Sequence, residues 1–205
     1  MKKKQKEESA EELLSPIRAL DLKILRHLEG MPQHFTSLLL VEPMYFSRAN
    51  LELVKLFISK PKKTGVYITC NKSSSYVAHL LESQEIDSSN IFFIDAISKE
   101  EGAEEINEKN FSYIDSPNDL VALSVKIDDV FEQIKDKRDV FVIFDSISTL
   151  LIYNGKEAVE KFVHSIVGRF QKWKIKGILL MVNSDEHRGV IDSISQFCDK
   201  TFELK

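Results

Sequence analysis

The sequence predicts a three-layer α/β/α domain, in which a mostly parallel central sheet lies between two layers of helices and an N-terminal helix precedes the domain. Two observations predict this class. Short and almost wholly apolar runs recur along the chain, and stretches with helical periodicity separate them. Strands that are apolar along their whole length are buried on both faces, as in parallel sheets covered by helices.

The N-terminal segment combines a charged stretch with an amphipathic helix. Residues 1–12 are rich in lysine and glutamate, which predicts a disordered, solvated tail. Apolar residues then recur at helical spacing and predict a helix over residues 13–30: Leu13, Ile17, Leu20, Ile24 and Leu28. Gly30 is a natural helix end, and Pro32 follows it. The main domain is therefore expected to span residues 37–205.

Within this domain, apolar runs and helical stretches alternate. The runs predict strands at 37–41, 65–69, 91–95, 140–144, 177–182 and 200–204. Helices are expected at about 47–60, 73–84, 117–136, 155–174 and 187–197. In sheets of this kind ligands bind beyond the carboxyl ends of the strands, so candidate site residues are sought there.

Composition excludes several classes of function. The chain has 205 residues and a net charge of −4, so no overall basic field draws it to nucleic acid. No apolar run approaches the roughly 18 residues of a membrane span, and we expect a cytoplasmic protein that does not bind membranes. The five histidines and two cysteines show no metal-ligand spacing, so no metal centre is expected.

The run DVFVIFDSIST, residues 139–149, is a buried strand that ends in an acid followed by hydroxyl residues. A carboxylate at this end of a strand can hold a magnesium-bound water in a phosphate site. Asp145 is the candidate for that role. The alternative is that Asp145 is the N-cap of the next helix, since aspartate is a preferred cap.

The order of segments resembles RecA-like ATPases of the KaiC type, and most closely archaeal KaiC-like proteins, over about residues 37–205. The resemblance rests on the spacing of GVYIT, IFFIDAIS, VFVIFDSISTLL and the helix and strand of residues 151–183. It implies a RecA-like sheet, ATP and magnesium as the cofactors of the active relatives, and the Walker B position for Asp145.

The resemblance places the phosphate-binding loop at residues 42–49, where this sequence departs from G-x-x-x-x-G-K-[ST]. Glu42 and Ser47 stand at the glycine positions. Arg48 replaces the lysine, and Ala49 replaces the magnesium-binding hydroxyl. Forcing a residue other than glycine into a left-handed conformation costs roughly 1–2 kcal/mol, so we expect no phosphate cradle here.

Two further positions of the resemblance concern the attacking water and the phosphates. Asn71, or its neighbour Lys72, stands where the family has a glutamate that activates water, and neither is a carboxylate base. Asn183 stands where the family has a polar phosphate sensor, although an asparagine after a strand is also a common turn residue. Hydrolysis by the family mechanism is therefore not expected, and no catalytic residue is assigned.

For several groups of residues the sequence leaves two alternative roles open. Arg48, with Ser47 and Asn50, is either a remaining anion site at a helix N-terminus or a plain solvent-facing arginine. The apolar group Met44, Tyr45 and Phe46 either fills the vacant nucleotide cleft or forms a partner surface. The lysines and arginine of helix 155–174 form either a solvated face or a nucleic-acid patch.

The sequence therefore favours a catalytically inactive RecA/KaiC-like domain with a regulatory or scaffolding role and no cofactor. Its expected partner is a protein, either a second copy or an active RecA/KaiC-like paralogue, by analogy of fold. One alternative is an ATP- and magnesium-binding enzyme or switch that uses Arg48 and Asp145. Another is a DNA-associated accessory factor.

Overall fold

The computed structural model describes residues 16–58, 63–103 and 105–204. The predicted tail, residues 1–12, and the predicted helix start at Leu13 lie outside the described residues. The strands are β1 (Phe35–Val41), β2 (Thr64–Thr69), β3 (Ile91–Asp95), β4 (Phe111–Tyr113), β5 (Val140–Asp145), β6 (Lys176–Val182) and β7 (Lys200–Leu204). The helices are α1 (Pro16–Glu29), α2 (Phe46–Ile58), α3 (Ser74–Ser83), α4 (Ser98–Glu101), α5 (Leu120–Ile134), α6 (Ile147–Tyr153), α7 (Lys156–Trp173) and α8 (Arg188–Ser195).

In the described ranges the seven strands form one sheet in the order β4-β3-β2-β5-β6-β1-β7, and every adjacent pair is parallel. The predicted parallel sheet is confirmed, and each of the six predicted strands is present. Strand β4 at one edge was not predicted, and neither were the short helices α4 and α6.

The sheet is covered on both faces, which explains why its strands are apolar throughout. Along β1 the side chains alternate: Leu38 and Leu40 pack in the cluster that includes helices α5 to α8. Leu39 and Val41 pack in the opposite cluster, which includes helices α1, α2 and α3. The result is the predicted three-layer α/β/α fold. Helix α1 packs on α2 and β7, and so joins the second layer.

A glycine in β2 makes room for an aromatic ring in β5. Gly65 pairs with Phe141, and a Cβ added to Gly65 would overlap Cζ of that ring and lie 2.9 Å from Cε2. Phe141 is buried and stacks on Phe57 of α2, with ring centroids 4.8 Å apart, so its movement away from an added Cβ is opposed by a second ring. We expect Gly65→Ala to lower the free energy of unfolding by about 2 kcal/mol, because overpacking forces side chains off their rotamers. Urea denaturation measures this loss.

The matched control is Gly168→Ala on the exposed face of α7, where an added Cβ meets no atom within 4 Å. That variant should be more stable by roughly 0.5–1 kcal/mol, since alanine favours a helix over glycine. Adding Phe141→Leu to Gly65→Ala should recover part of the loss. Equal stability of Gly65→Ala and the parent chain would contradict the packing described here.

Candidate functional site

The predicted site residues meet where the carboxyl ends of the central strands and the start of α2 come together. Asp145 ends β5 and lies opposite Thr69, which ends β2. Asn71 follows β2, and α2 brings Asn50 to the carboxylate of Asp145, with 3.1 Å between Nδ2 and Oδ2. The peptide bond between Asp145 and Ser146 is cis.

Three backbone amides of the segment from Glu42 to Phe46 bond to carbonyls of the chain. The Glu42 amide donates to the Leu204 carbonyl at 3.4 Å, and the Tyr45 amide donates to the Glu42 carbonyl at 2.9 Å. Pro43 has no amide hydrogen, and the Phe46 amide donates to the Pro43 carbonyl. These bonds form a 3-10 turn over Pro43–Tyr45 that runs directly into α2. The amides at Glu42, Tyr45 and Phe46 are therefore not free to surround a phosphate.

Arg48 is turned away from the cleft toward α1. Its Nη2 lies 3.1 Å from Oδ2 of Asp21 and 2.9 Å from Oε1 of Glu52, which is itself buried. The arginine is thus neither the anion ligand nor the plain solvent-facing residue of the two sequence interpretations. It joins the N-terminal helix to α2. Ala49, the next position, is fully buried in the core under α2.

This ion-pair group predicts a measurable loss for Arg48→Ala. Glu52 keeps Lys55 at 3.2 Å, so its carboxylate retains one cation. We expect the free energy of unfolding to fall by about 1 kcal/mol, above the usual value for a fully exposed pair. Lys135→Ala, which breaks the exposed pair of Lys135 with Glu132, is the control and should change little. Equal effects of the two substitutions in urea denaturation would contradict the structural role of Arg48.

Asp145 is buried and receives only neutral donors. Asn50 Nδ2 and the Tyr67 hydroxyl, at 2.9 Å, both donate to Oδ2, while Oδ1 makes no hydrogen bond to any described residue. Burial raises the pKa of Asp145 from 3.8 to about 6, against the opposite effects of Tyr67, Asn50, Lys72 and Asn71. The carboxylate therefore lies in a site that disfavours its charge.

Asp145 is not a helix cap, so that interpretation of the sequence is wrong. Ser146 is the N-cap of α6, because its hydroxyl accepts a hydrogen bond from the Thr149 amide at 3.3 Å. Ser148 Oγ accepts from the Val182 amide at 2.7 Å. The hydroxyl residues after Asp145 thus bind the backbone at the ends of neighbouring elements.

Tyr67 is a site residue that the sequence interpretation missed. It lies in the middle of β2, and its hydroxyl reaches a carboxylate 78 residues later in the chain. Burial raises the pKa of Tyr67, so the phenol remains a donor to Asp145. The available signal was a tyrosine in the middle of a predicted buried strand, because a buried phenol usually requires a polar partner.

Lys72, and not Arg48, is the cation at the mouth of the site. Its Nζ donates to Ser47 Oγ at 3.0 Å and lies 4.7 Å from the centroid of the Tyr76 ring. The side chain crosses from the end of β2 to the first turn of α2. The sequence analysis considered Lys72 only as an alternative to Asn71 at the position where the family has a water-activating glutamate.

A cleft of about 600 Å³ lies over the carboxyl ends of the strands, between Phe46, Ser47, Asn71, Ile152 and His187. The three predicted plug residues do not act as one group. Phe46 is buried and Tyr45 packs on the core, whereas Met44 is 76% exposed. Asn183, directly after β6, donates its backbone amide to the Val41 carbonyl at 3.0 Å.

The basic residues of α7 are largely paired. Arg169 lies 2.7 Å from Asp128, Lys161 lies 4.0 Å from Glu157, and Lys156 lies 3.9 Å from Glu160. Among the described residues, no three histidine, cysteine, aspartate or glutamate side chains come together as metal ligands. None of the described helices is long and apolar enough to cross a membrane.

Comparison with known proteins gives a fold and a family. One protein of similar structure is PH0321, an uncharacterized protein of Pyrococcus horikoshii that was crystallised in complex with an unknown peptide. Its TM-score is 0.68, with 13% sequence identity, and the match covers 88% of this chain and 81% of that chain. The KaiC-like protein PH0186 of Pyrococcus horikoshii OT3 has a TM-score of 0.60 and 12% identity, over 86% and 74% of the two chains. These similarities show a RecA/KaiC-like fold. Residues 36–204 match the profile of a family described as a family of unknown function, DUF7504. No curated protein matches the sequence significantly.

Proposed function

Since this chain belongs to the DUF7504 family, we propose its function from the site itself: it is a RecA/KaiC-like domain that does not hydrolyse ATP and acts by associating with another protein. The observation that carries this proposal is the turn at Pro43–Tyr45: Pro43 has no N–H, and the amides of Tyr45 and of the following Phe46 bond within the chain. Catalysis of phosphoryl transfer consists largely of positioning and charge stabilisation, so a site without these donors lacks most of the machinery.

Three other features support the loss of catalysis, and with it the expected absence of ATP and magnesium. Arg48 is held by Asp21 and Glu52, away from the cleft. Ala49 offers no hydroxyl to a metal. Asp145 is held by neutral donors in surroundings that disfavour its negative charge. The residues present therefore do not fit ATP with magnesium.

The test is calorimetric titration of the purified chain with ATP and magnesium chloride. We expect no saturable heat, and any weak signal should persist in Asp145→Asn, because no specific magnesium site is involved. A dissociation constant below about 100 micromolar in the parent chain, lost in Asp145→Asn, would overturn the proposal.

Association is the second half of the proposal, and its proposed site is the rim of the 600 Å³ cleft. Ile152, which lines the cleft, is 78% exposed, and Met44, next to the lining residue Pro43, is 76% exposed. Exposed apolar side chains beside a cleft are typical of interaction sites. PH0321, a neighbour in fold, binds a peptide. The proposed partner is a second copy of this chain or an active RecA/KaiC-like paralogue.

Sedimentation velocity tests this half of the proposal. Met44→Asp combined with Ile152→Asp should weaken association at least about tenfold, since each buried apolar side chain contributes roughly 1.5–3 kcal/mol. Val125→Asp, on the exposed face of α5, is the control. If the double variant associates with a second copy and with the paralogue as strongly as the control does, the cleft rim is not the interface.

One observation favours a nucleotide-binding switch as a second candidate. The ammonium of Lys72 lies beside Ser47 at the start of α2, where a phosphate would need a cation. This function would use Lys72 in place of Arg48. Lys72→Ala should then abolish nucleotide binding, while Arg48→Ala should leave it intact.

A further inference from the structure

A small pocket between α2 and α3 has two unpartnered acceptors among its lining residues. Asp145 Oδ1 and Asn50 Oδ1 are both buried, and neither makes a hydrogen bond within the described part of the chain. The two side chains are fixed together, because Asn50 Nδ2 donates to Asp145 Oδ2 at 3.1 Å. A buried acceptor without a donor is costly, so this pair is suited to a ligand that brings hydrogen-bond donors.

Away from its polar residues, the walls of the pocket are apolar. Leu51 and Val54 of α2 face Val77 and Leu80 of α3 across it. The enclosed part holds about 20 Å³, which is room for one group the size of a water molecule. With its open mouth the pocket spans about 390 Å³, and this outer part can take an apolar stem.

Charge and geometry narrow the class of ligand. The carboxylate of Asp145 accepts hydrogen bonds from the neutral groups of Asn50 and Tyr67, and the ammonium of Lys72 lies on Ser47 at the mouth, so a cation would be favoured beside the carboxylate. A primary ammonium has three donors and no acceptor, which matches two free acceptor oxygens. A guanidinium is a rigid planar fork that is too large for the enclosed volume. A hydrated metal ion does not match walls of leucine and valine.

We propose that this pocket binds a primary ammonium group on an unbranched apolar stem, and that the ammonium donates to Asp145 Oδ1 and Asn50 Oδ1. Two sources of such an ammonium group are considered. One is a free alkylamine. The other is Lys72, whose ammonium is at the mouth on Ser47 and whose four-carbon stem lets it turn inward.

The experiment uses n-butylammonium chloride as the probe at about pH 8, where the amine is charged. The readouts are the melting temperature and the NMR signals of the Asn50 side-chain amide. Tetramethylammonium, a cation without N–H donors, and 1-butanol, the uncharged analogue, are the reference ligands. We expect saturable binding in the millimolar range for n-butylammonium alone. Asp145→Asn should weaken it at least tenfold, and Glu186→Gln, a carboxylate of the neighbouring cleft, should not change it.

Lys72→Met separates the two sources. If a free amine is the ligand, the parent chain binds n-butylammonium and Lys72→Met binds it more tightly, because the competing cation is gone. If Lys72 itself is the ligand, the parent chain does not bind the probe and Lys72→Met does. The proposal is overturned if neither protein binds n-butylammonium, if Asp145→Asn binds it equally well, or if tetramethylammonium binds as strongly.

Discussion

Asp145→Asn is expected to raise the free energy of unfolding at about pH 8 by about 3 kcal/mol, since one unit of pKa corresponds to about 1.4 kcal/mol. The reason is that Asp145 is buried with a pKa of about 6, above its ordinary value of 3.8. Its carboxylate is less favourable in the folded chain than in the unfolded one. Asparagine keeps an oxygen to accept from Asn50 and Tyr67, but carries no charge.

The sign of the pH dependence follows from the same shift. Between pH 3.8 and about 6 the folded chain binds more protons at Asp145 than the unfolded chain does. Stability from this group is therefore present at low pH and is lost as pH rises through about 6. Urea denaturation at several pH values measures the effect, and Asp185→Asn, an exposed carboxylate in a turn, is the control. An Asp145→Asn variant that is less stable than the parent at pH 8 would contradict the burial of an unpaired charge.

The sheet could be predicted from the sequence because its strands are continuous apolar runs that no other element explains. Strand β4 could not, since Phe111–Tyr113 is only three residues long, half-buried, and lies at the sheet edge. Helix α6 was missed because Ile147–Tyr153 is only seven residues long and Ser146 alone separates it from the end of β5. Periodicity does not distinguish a strand from a buried helix in so short a segment.

The candidate site was predictable in its position but not in its contacts. Parallel strands place their carboxyl ends together, so the chain order was enough to bring Asp145 and Asn71 to one edge. The partners of Arg48 were not predictable, because Asp21 lies 27 residues earlier on a helix whose docking direction the apolar stripe does not specify. Tyr67 reaches Asp145 diagonally from the neighbouring strand, which requires knowledge of the strand order.

His27→Phe is expected to remove the loss of folding stability that the buried His27 causes at acid pH. His27 Nε2 lies 2.8 Å from Ser37 Oγ, and that hydroxyl donates to the Lys200 carbonyl at 3.1 Å. The imidazole must therefore donate through Nε2, which leaves Nδ1 as a buried atom without a donor among the described residues. Burial and the nearby Lys200 lower the pKa of His27 from 6.5 to about 4. Phenylalanine keeps the stacking on Phe202, whose ring centroid lies 4.4 Å from that of His27.

The unfolded chain binds a proton at His27 below pH 6.5, whereas the folded chain does so only below about 4, so this group costs up to about 3 kcal/mol as pH falls through that window. Asp145 titrates over nearly the same range with the opposite sign, and the two effects offset each other in the parent chain. As the pH is lowered from about 7 to about 4, the free energy of unfolding should therefore change little in the parent chain. Over the same change it should fall in Asp145→Asn and rise in His27→Phe. The variant with both substitutions should again change little. If His27→Phe and the parent show the same slope, the imidazole is solvated in the folded chain, and the packing of α1 on β7 differs from the contacts described here.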